Sequence, residues 1–597
     1  MASRMGARTL LLTQNLETIG QMSCNPAIGG IAKGTVVREV DALGGIMGRA
    51  TDRARIQFRM LNRSKGPAVW SPRAQCDRGL YRRAVRGELE RLPNVRFSQG
   101  TVARFLIESG RVVGVETLDR RRYRCRSVVL TAGTFLRGRI HIGLDSQIPA
   151  GRAGEPAAVD IAQDIDSIGV TVERFKTGTP PRIDGRTVDL SRLVRQDGEQ
   201  AGYWFSNFVR HEHPRQLPCY LTHTGEALRD IIRSHLKESA LYGGAISGRG
   251  PRYCPSIEDK IVRFPDAARH QVFLEPEGLD TAEMYVNGLS TSLPPQVQVE
   301  YLRSVPGLER VEMTRPGYAI EYDYFPPTQL DRTLRLKSVA GLYFAGQVNG
   351  TTGYEEAAGQ GVVAGLNAAA AALGRDPIVF GRQDGFIGVL VDDLVTKGVD
   401  EPYRLFTSRS EFRLMLRQDN ALRRLFEIGD SAGLYDDEER RVAIGRFAAE
   451  QVIMDQATAV SIHPDVANPV LDSTGEPGIA EPIRIVELAR RPGVSLAALL
   501  AAAGIPSTGE LSEWAEVEIK YSGYLDREKV MAKRLDEMEH FEIPSIDSFM
   551  SFASVSFEAR EKLTARRPTT LGQAARIPGI SPSDIQSLVM ELAKLRR

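Results

Sequence analysis

The chain has 597 residues, of which 42% are hydrophobic and 25% are charged, and its 77 basic and 75 acidic side chains leave a formal net charge of +2. This length predicts two or three domains, and the composition excludes global disorder and a chain-wide polycation. No stretch approaches the roughly 20 apolar residues of a membrane span, and the start of the chain lacks the apolar segment of a secretory signal. We therefore expect a cytoplasmic protein without a membrane partner.

Short apolar segments of strand length occur at residues 8–13, 127–134 and 341–346, and the last two contain or end at a glycine. An Ala/Gly-rich helical pattern follows the third, at residues 355–373. This succession predicts an α/β fold with a parallel sheet covered by helices. Residues 177–324 are rich in Pro, Tyr and Thr, which predicts a mixed domain inserted into that fold.

The spacing of apolar residues changes after about residue 386. Apolar positions recur at helical spacing in residues 411–417 and 437–454, and residues 516–540 are typical of a long charged helix. The last helical module contains Ile577-Pro578-Gly579-Ile580, which resembles the turn of a helix–hairpin–helix unit. Such units bind nucleic-acid backbone or another protein. We predict a helical C-terminal domain.

Residues 344–357, FAGQVNGTTGYEEA, predict a ligand-binding turn. A strand leading into a Gly/Asn/Thr loop and then a helix of small residues leaves backbone N–H groups available to an anionic or carbonyl-bearing ligand. A merely packed strand–helix turn is the alternative, and the density of glycines and small polar residues makes it the weaker one.

The five cysteines are scattered and include no C-x-x-C pair, so neither a disulfide framework nor a metal site is expected. Cys24 lies in a polar loop punctuated by glycine, and Cys254 lies near Arg252 and Lys260. Because nearby cations lower the pKa of a thiol, these two are candidate reactive thiols. The remaining cysteines are interpreted as structural or incidental: Cys76, Cys125 and Cys219.

Two segments crowd basic side chains among aromatic ones, at residues 49–86 and 403–417. Cations next to aromatic rings suit phosphate contacts and base stacking, so both segments are candidate nucleic-acid surfaces. The usual alternative for such a group is a solvated charged face. That alternative better fits residues 120–124.

Taken together and in order, these segments resemble the MnmG (GidA) family of flavin-dependent tRNA-modifying enzymes. The resemblance rests on QMSCNPAIGG, VDALGG, LNRSKGPAVWSPRAQCDR, FKTGTPPR, PRYCPSIEDK, HQVFLEPEG, RPGYAIEYDY, FAGQVNGTTGYEEA, GVLVDDL and EPYRLFTSRSEFRLMLR, and it runs over essentially the whole chain. It implies a Rossmann-like FAD-binding domain of the two-dinucleotide-binding flavoprotein type. That domain is expected at residues 1–176 and 326–386, interrupted by an NAD and substrate domain at 177–325. Residues 387–597 would then form the helical domain that binds tRNA and the GTPase partner MnmE.

The resemblance also implies a set of site residues. FAD is expected against these positions: Val102, Gln347, Asn349, Gly350, Thr351, Thr352 and Gly353. NAD(H) is expected at residues 250–264, with these contacts: Gly250, Arg252, Tyr253, Lys260 and Phe264. Cys24 and Cys254 match the two functional cysteines, and Asp259 and Lys260 are candidates for proton transfer.

The chemistry of the family gives these thiols a task. Carbon 5 of uracil is a poor nucleophile, and addition of a thiolate to carbon 6 makes it reactive. We expect Cys254 to be that nucleophile and Cys24 to be a second essential thiol, with the reverse division left open. The cofactors implied are FAD, NADH and 5,10-methylenetetrahydrofolate, the substrate is the wobble uridine of the tRNA anticodon stem-loop, and the assembly is a homodimer.

One departure concerns the first dinucleotide-binding unit. A fold of this type begins with a strand, a glycine-rich loop and a helix, and this sequence has no such loop. Residues 1–6 are interpreted as the last turn of that helix and residues 8–13 as the second strand, so a truncated FAD-binding domain is expected. Two alternatives remain: a folate- and FAD-dependent tRNA uracil-5-methyltransferase, and a non-catalytic tRNA- or partner-binding protein that has lost its flavin site.

Overall fold

The computed structural model describes residues 1–66, 69–199, 202–250 and 255–595. The first third of the chain contains these elements: β1 (Thr9–Thr13), β2 (Ala27–Gly29), α1 (Lys33–Ala42), α2 (Met47–Ala54), β3 (Arg55–Leu61), β4 (Ser71–Cys76), α3 (Arg78–Glu90), β5 (Val95–Gln99), β6 (Val102–Glu108), β7 (Arg111–Thr117), β8 (Arg122–Arg124), β9 (Val128–Leu130), β10 (Arg139–Ile142), β11 (Ser146–Arg152), β12 (Glu155–Pro156) and α4 (Asp160–Ser167).

The middle of the chain contains these elements: β13 (Glu173–Thr179), β14 (Arg182–Asp184), β15 (Val194–Gln196), β16 (Cys219–His223), α5 (Glu226–Ser234), α6 (Ile257–Arg263), β17 (Gln271–Pro276), β18 (Glu283–Asn287), α7 (Pro295–Arg303), β19 (Met313–Arg315), β20 (Tyr318–Tyr324), β21 (Leu342–Phe344) and α8 (Tyr354–Leu373). The predicted strands at 127–134 and 341–346 and the helix that follows them are therefore confirmed.

Two parallel strand pairs support the cofactor region. β1 pairs with β5, and β9 pairs with β21 in the register Val128 to Leu342. Ahead of β1, residues 1–6 form a hydrogen-bonded turn in which the Met5 N–H donates to the Met1 carbonyl at 3.2 Å. α8 packs on β9 and β21, α1 packs on α8, and the apolar side chains of both helices belong to the largest core among the described residues. Because parallel strands end at the same edge, the turns after β9 and β21 lie side by side.

The inserted domain has a six-stranded antiparallel sheet in the order β15-β16-β17-β18-β14-β19. Its core receives side chains from α5, α6 and α7. A second antiparallel sheet, in the order β12-β11-β10-β20-β13, joins this domain to the first part of the chain. The boundary expected between residues 176 and 177 therefore falls inside β13, because that strand is held by β20 over its whole length.

The last third is mainly helical, as predicted. It contains these elements: α9 (Phe386–Asp392), continued by a π-helical turn (Asp393–Lys397), α10 (Ala421–Ser431), α11 (Asp437–Ala459), β22 (Ser461–Ile462), α12 (Pro464–Ser473), β23 (Ile483–Arg484), α13 (Ile485–Ala489), α14 (Leu496–Ala502), α15 (Gly509–Lys520), α16 (Ser522–His540), α17 (Phe557–Arg566), α18 (Leu571–Arg576) and α19 (Pro582–Leu595).

Two separate apolar cores divide this helical region. One joins α11 to α15, and the other joins the end of α16 to α17, α18 and α19. The charged helix expected at 516–540 is broken at Tyr521, so its two parts belong to different packing units. No helix among the described residues has the length and apolar character needed to span a membrane.

Candidate active site

Cys24 lies in a cleft between the first domain and the inserted domain. Its Sγ is 2.9 Å from the hydroxyl oxygen of Tyr285, on β18, and 3.8 Å from the carbonyl oxygen of Gly178, on β13. Its backbone N–H donates to the Tyr354 hydroxyl oxygen at 2.9 Å. Three distant segments therefore meet at one thiol. A thiol–phenol hydrogen bond of this kind lets a proton pass between sulfur and oxygen.

A buried ion cluster supports this cleft. The Arg182 guanidinium lies 4.8 Å from the ring centre of Tyr285 and donates to the Ser23 carbonyl at 3.2 Å and to Glu277 at 3.0 Å. Glu277 also accepts two hydrogen bonds from Arg78. Burial opposes ionisation of Glu277, but the charges of Arg78 and Arg182 outweigh it and hold the pKa of this carboxyl below its usual range. The cleft therefore has a fixed positive charge next to the thiol–phenol pair.

The N-terminus of α8 is fixed to the loop that carries Cys24. Glu355 accepts the Gly29 N–H at 2.7 Å, and the Lys33 ammonium lies 3.1 Å from Glu355 and 3.2 Å from Glu356. Burial works against the charge of Lys33, but the two carboxylates outweigh it and raise the pKa of Lys33. The GTTG loop, Gly350 to Gly353, and the Cys24 loop therefore form one packed unit.

Within the 346–353 segment, two of the expected flavin contacts have internal roles. The buried Asn349 amide donates to the Phe344 carbonyl at 2.9 Å and to the Gln360 side chain at 2.8 Å. Thr351 donates to the Gly346 carbonyl and accepts from Gln360. Both side chains therefore stabilise the loop internally. The groups of the loop that remain accessible to a cofactor are backbone atoms and the half-buried side chains of Gln347 and Thr352.

The residues at the ends of β9 and β21 fit a flavin. Gly133 has a φ of +59°, and no atom lies within 4 Å of the place a Cβ would occupy, so there is open space beside this turn. The Asn349 side-chain oxygen is buried and has no hydrogen-bond partner among the described residues. α8 has no side-chain cap at its N-terminus. Val102 begins β6, just after β5 ends at the same edge as β1, and packs partly on the main core.

The segment expected to bind NAD(H) begins beside β13. A Cβ at Gly250 would come within 2.4 Å of the Lys176 side chain. Arg252, Tyr253 and Cys254 lie outside the described residues. Next to the segment is a cavity of about 330 Å³, whose lining includes Gly250, Arg249 and Arg263. Phe264, which ends the segment, is 57% exposed.

Asp259 and Lys260 contact neighbouring structural groups. The Asp259 carboxylate accepts from the Tyr242 hydroxyl at 3.1 Å and lies near the N-terminus of α6 with its cap residue Ser256. The Lys260 ammonium donates to the Gly288 carbonyl at 2.8 Å. Lys176, 3.9 Å from Asp259, is on the same strand as Gly178, which contacts Cys24. β13 therefore connects the two parts of the predicted site.

The interpretation of Cys76 and Cys219 as structural is confirmed by their burial. Both thiols are buried, and burial raises the pKa of Cys76 and raises the pKa of Cys219 to about 12. The Cys219 thiol also donates a hydrogen bond to the Gln57 side chain. Cys125 is exposed. Thiolates are the reactive form, so Cys76 and Cys219 have little nucleophilic character at neutral pH.

Most members of the two basic segments are paired with acids, which the sequence pattern did not show. Arg73 pairs with Glu275, Arg49 with Glu439, and the fully buried Arg417 with Asp419 and Glu518. The prediction of two open nucleic-acid surfaces is therefore wrong for these side chains, because their charges are already neutralised inside the fold.

Sequence reasoning missed four members of the site. No sequence motif distinguishes Tyr285 from the other residues of its strand. Glu277 is recognised as a site residue only once the structure shows its pairs with two arginines. Arg182 and Lys33 occur in motifs that the sequence displays, TPPR and GGIAKG, but nothing in their spacing indicates the thiol they surround.

Glycine turns that meet at the carboxyl edge of parallel strands, beside a thiol held against a phenol, define a dinucleotide-cofactor enzyme of the α/β class. Residues 1–376 match the family model described as glucose inhibited division protein A. Residues 446–529 match the MnmG/GidA C-terminal helical domain, and residues 531–597 match the corresponding helical bundle.

Individual relatives agree with these matches. The chain is 48% identical to the tRNA uridine 5-carboxymethylaminomethyl modification enzyme MnmG of Phocaeicola vulgatus, over 99% of this chain and 96% of that protein. The enzyme of the same description from Salinibacter ruber is also 48% identical, over 99% and 91%. The crystal structure of Aquifex aeolicus GidA, form II, superposes with a TM-score of 0.89 at 44% identity, over 99% and 95% of the two chains. The chain belongs to the MnmG/GidA family, a flavoprotein family of tRNA-modifying enzymes.

Proposed function

We propose that this chain is an FAD-dependent enzyme that adds a carboxymethylaminomethyl or aminomethyl group to carbon 5 of the wobble uridine in the tRNA anticodon stem-loop. The one-carbon unit comes from 5,10-methylenetetrahydrofolate and the nitrogen from glycine or ammonium, and NADH brings the flavin to its reduced state. The observation that carries the proposal is the Cys24–Tyr285 pair, 2.9 Å apart, fixed to the helix that follows the GTTG loop.

The proposed chemistry begins at the pyrimidine ring. The thiolate of Cys254 forms a bond to carbon 6, and the π pair of the C5–C6 bond moves to the O4 oxygen as an enolate. Carbon 5 then attacks the methylene carbon of the folate, whose C–N π pair moves onto the folate nitrogen, and the amine later replaces the folate at that carbon. Loss of the C5 proton and expulsion of the thiolate restore the ring. These ring steps are redox-neutral, so bound FAD would donate a hydride and take one back within the same cycle.

Cys24 and Tyr285 are proposed to hold and move the proton that leaves carbon 5. Their hydrogen bond provides a base and a relay in direct contact, and Arg182 above the Tyr285 ring stabilises negative charge on either atom. Cys254, which lies outside the described residues, is proposed as the uracil nucleophile because it matches the second functional cysteine of the family.

The remaining assignments concern partners. We propose that the helical units at residues 446–529 and 531–597 bind tRNA and the GTPase MnmE, and that the protein acts as a homodimer in the cytoplasm, where its tRNA substrate is found. NADH is proposed to bind beside residues 250–264, where the cavity of about 330 Å³ lies within the size range of small-molecule sites.

A trapping experiment tests the thiol chemistry. In tRNA carrying 5-fluorouridine at the wobble position, carbon 5 has no proton to lose, so the protein–RNA adduct should persist and appear by mass spectrometry. The adduct should form with the wild type and with Cys24→Ala, and should be absent with Cys254→Ala. An adduct mapped to Cys24 reverses the two roles, and no adduct in the presence of MnmE and all cofactors overturns covalent catalysis by either thiol.

The product distinguishes this function from its alternatives. Mass analysis of nucleosides should show the aminomethyl or carboxymethylaminomethyl derivative, whereas a methyltransferase would give 5-methyluridine. The helical units matched at residues 446–597 support the first outcome, since the methyltransferase is expected to lack them. A chain that binds tRNA but neither retains FAD after desalting nor changes the nucleoside would be a binding protein.

A further inference from the structure

Three cations converge where the C-terminal bundle meets the cofactor-binding part of the molecule. Lys337 donates from its ammonium to the Thr328 carbonyl at 2.9 Å. A Cβ placed on Gly398 would lie 3.0 Å from the Thr328 methyl group and 3.4 Å from a guanidinium nitrogen of Arg566. Arg567, the next residue, lines the same pocket. We name Lys337, Arg566 and Arg567 with the pocket between them the junction corner.

The protein neutralises the charge of the junction corner only in part. Among the described residues, Arg566 makes no ion pair or hydrogen bond through its side chain, and Arg567 reaches only the fully exposed Asp547, at 3.8 Å. Asp331 also lines the pocket, but its carboxylate is occupied by Arg335 and Thr333. Elsewhere in this molecule, buried and half-buried arginines are mostly paired with acids, so the half-buried Arg566 departs from that pattern.

The cations repel one another in this arrangement. Partial desolvation lowers the pKa of Lys337, the charge of Asp331 opposes this shift, and the charges of Arg566 and Arg567 add to it. Arg567 also ends α17 in the left-handed region, at a φ of +48°, where glycine or asparagine is the usual residue. An anion bound between these cations would offset their mutual repulsion.

We propose that the junction corner binds a phosphate group. Its pocket of about 40 Å³ has room for roughly three waters, which an anion could displace. Arginine suits this ligand because its planar donors match phosphate oxygens. The Thr569 and Gln573 side chains on the pocket wall add polar groups.

The neighbours of the corner favour the RNA backbone as the source of that phosphate, and this assignment rests on the proposed function. Val395 and Thr396, which line the pocket, belong to the π-helical turn whose Asp393 accepts from the Tyr403 hydroxyl at 2.9 Å. The Tyr403 N–H in turn donates to the Gly350 carbonyl at 2.8 Å, in the GTTG loop. A tRNA phosphate held here would lie on the segment that supports the cofactor loop. The other source is inorganic phosphate or a free nucleotide.

The test uses the full chain carrying Lys337→Gln and Arg566→Gln together. The control variant carries Arg375→Gln and Lys533→Gln, which remove two exposed charges that make no ion pair among the described residues. In the first arm, thermal unfolding is followed in phosphate and in chloride at equal ionic strength. Phosphate should raise the unfolding temperature of the wild type and of the control, and should have no such effect on the junction variant.

In the second arm, tRNA affinity is measured against salt concentration. The junction variant should bind more weakly, and the slope of log affinity against log salt should fall by about 1, while the control stays within 0.3 of the wild type. A phosphate effect without a change in the tRNA slope assigns the corner to free phosphate. If neither measurement separates the junction variant from the control, the phosphate site is overturned. The phosphate arm needs no tRNA, so its result is independent of the proposed function.

Discussion

Asp52 is the residue at which pH should act on folding. Its carboxylate lies 0% exposed and accepts the backbone N–H groups of Phe205 and Ser206, which fix the 203–213 loop on the first domain. Burial raises the pKa of Asp52 to about 7, although the two N–H donors oppose the shift. The folded protein therefore binds a proton here that the unfolded chain, with a pKa near 4, has already released.

This extra proton in the folded state determines the direction in which stability changes with pH. Stability from Asp52 is full below pH 4 and is lost as the pH rises to 7, by up to about 4 kcal/mol. We expect Asp52→Asn to flatten the decline in unfolding temperature between pH 5 and pH 8. Differential scanning calorimetry at both pH values measures this decline in unfolding temperature. The control is Asp455→Asn, on the exposed face of α11. An equal decline in wild type and D52N would show that Asp52 titrates normally.

Tyr285 should matter to turnover through one oxygen atom. Tyr285→Phe keeps the ring under Arg182 but removes the hydroxyl that contacts Cys24. If the pair moves a proton, the rate of uridine modification should fall on the order of 100-fold while tRNA affinity is unchanged. Tyr301→Phe deletes another buried hydroxyl, which donates to the Leu289 carbonyl at 3.5 Å and does not contact Cys24, and it should leave the rate unaltered. Equal rates for Y285F and Y301F would remove Tyr285 from the mechanism.

The GTTG loop requires a residue without a side chain at its last position, Gly353. A Cβ on Gly353 would lie 1.8 Å from a Glu356 carboxylate oxygen and 2.4 Å from the Lys33 ammonium. Gly353→Ala must therefore displace a buried ion pair at the N-terminus of α8. We expect about tenfold weaker FAD binding, measured by fluorescence titration. Gly361→Ala, in the same helix with nothing within 4 Å, is the control, and equal affinities would exclude this role of Gly353.

Elements whose signal is local could be predicted from the sequence. The strand at 341–346, the helix after it and the helical last third follow from apolar spacing and glycine turns, and the structure confirms them. Pairings between distant residues could not be predicted. Nothing near Tyr285 indicates that β18 carries it to Cys24, and nothing near Arg73 indicates that Glu275 neutralises it. Nothing in the Pro-rich loop around His211 and His213 indicates that His211 accepts from Arg53 or that His213 contacts the Asp52 carbonyl.

At the scale of the whole molecule, a buried ion network joins the C-terminal bundle to the rest. Arg576, in α18, lies 2.7 Å from Asp392 and pairs with Glu539, and Arg382 lies 3.1 Å from the same Asp392. Asp392 is 1% exposed. Burial opposes its ionisation, but Arg576 and Arg382 outweigh it and lower the pKa of Asp392. The bundle is thus attached through charges that water does not screen.

Arg576→Gln should loosen this attachment. The change leaves a buried carboxylate with one cation instead of two, and removing one partner of a buried pair costs about 3–5 kcal/mol. We expect the bundle to be cleaved faster by limiting protease than in the wild type, at a rate little affected by 0.5 M salt. Lys562→Gln breaks an exposed pair with Glu558 in the same bundle, worth at most about 1 kcal/mol, and should not change the cleavage rate. If R576Q and K562Q are cleaved alike, apolar packing rather than the ion network holds the bundle in place.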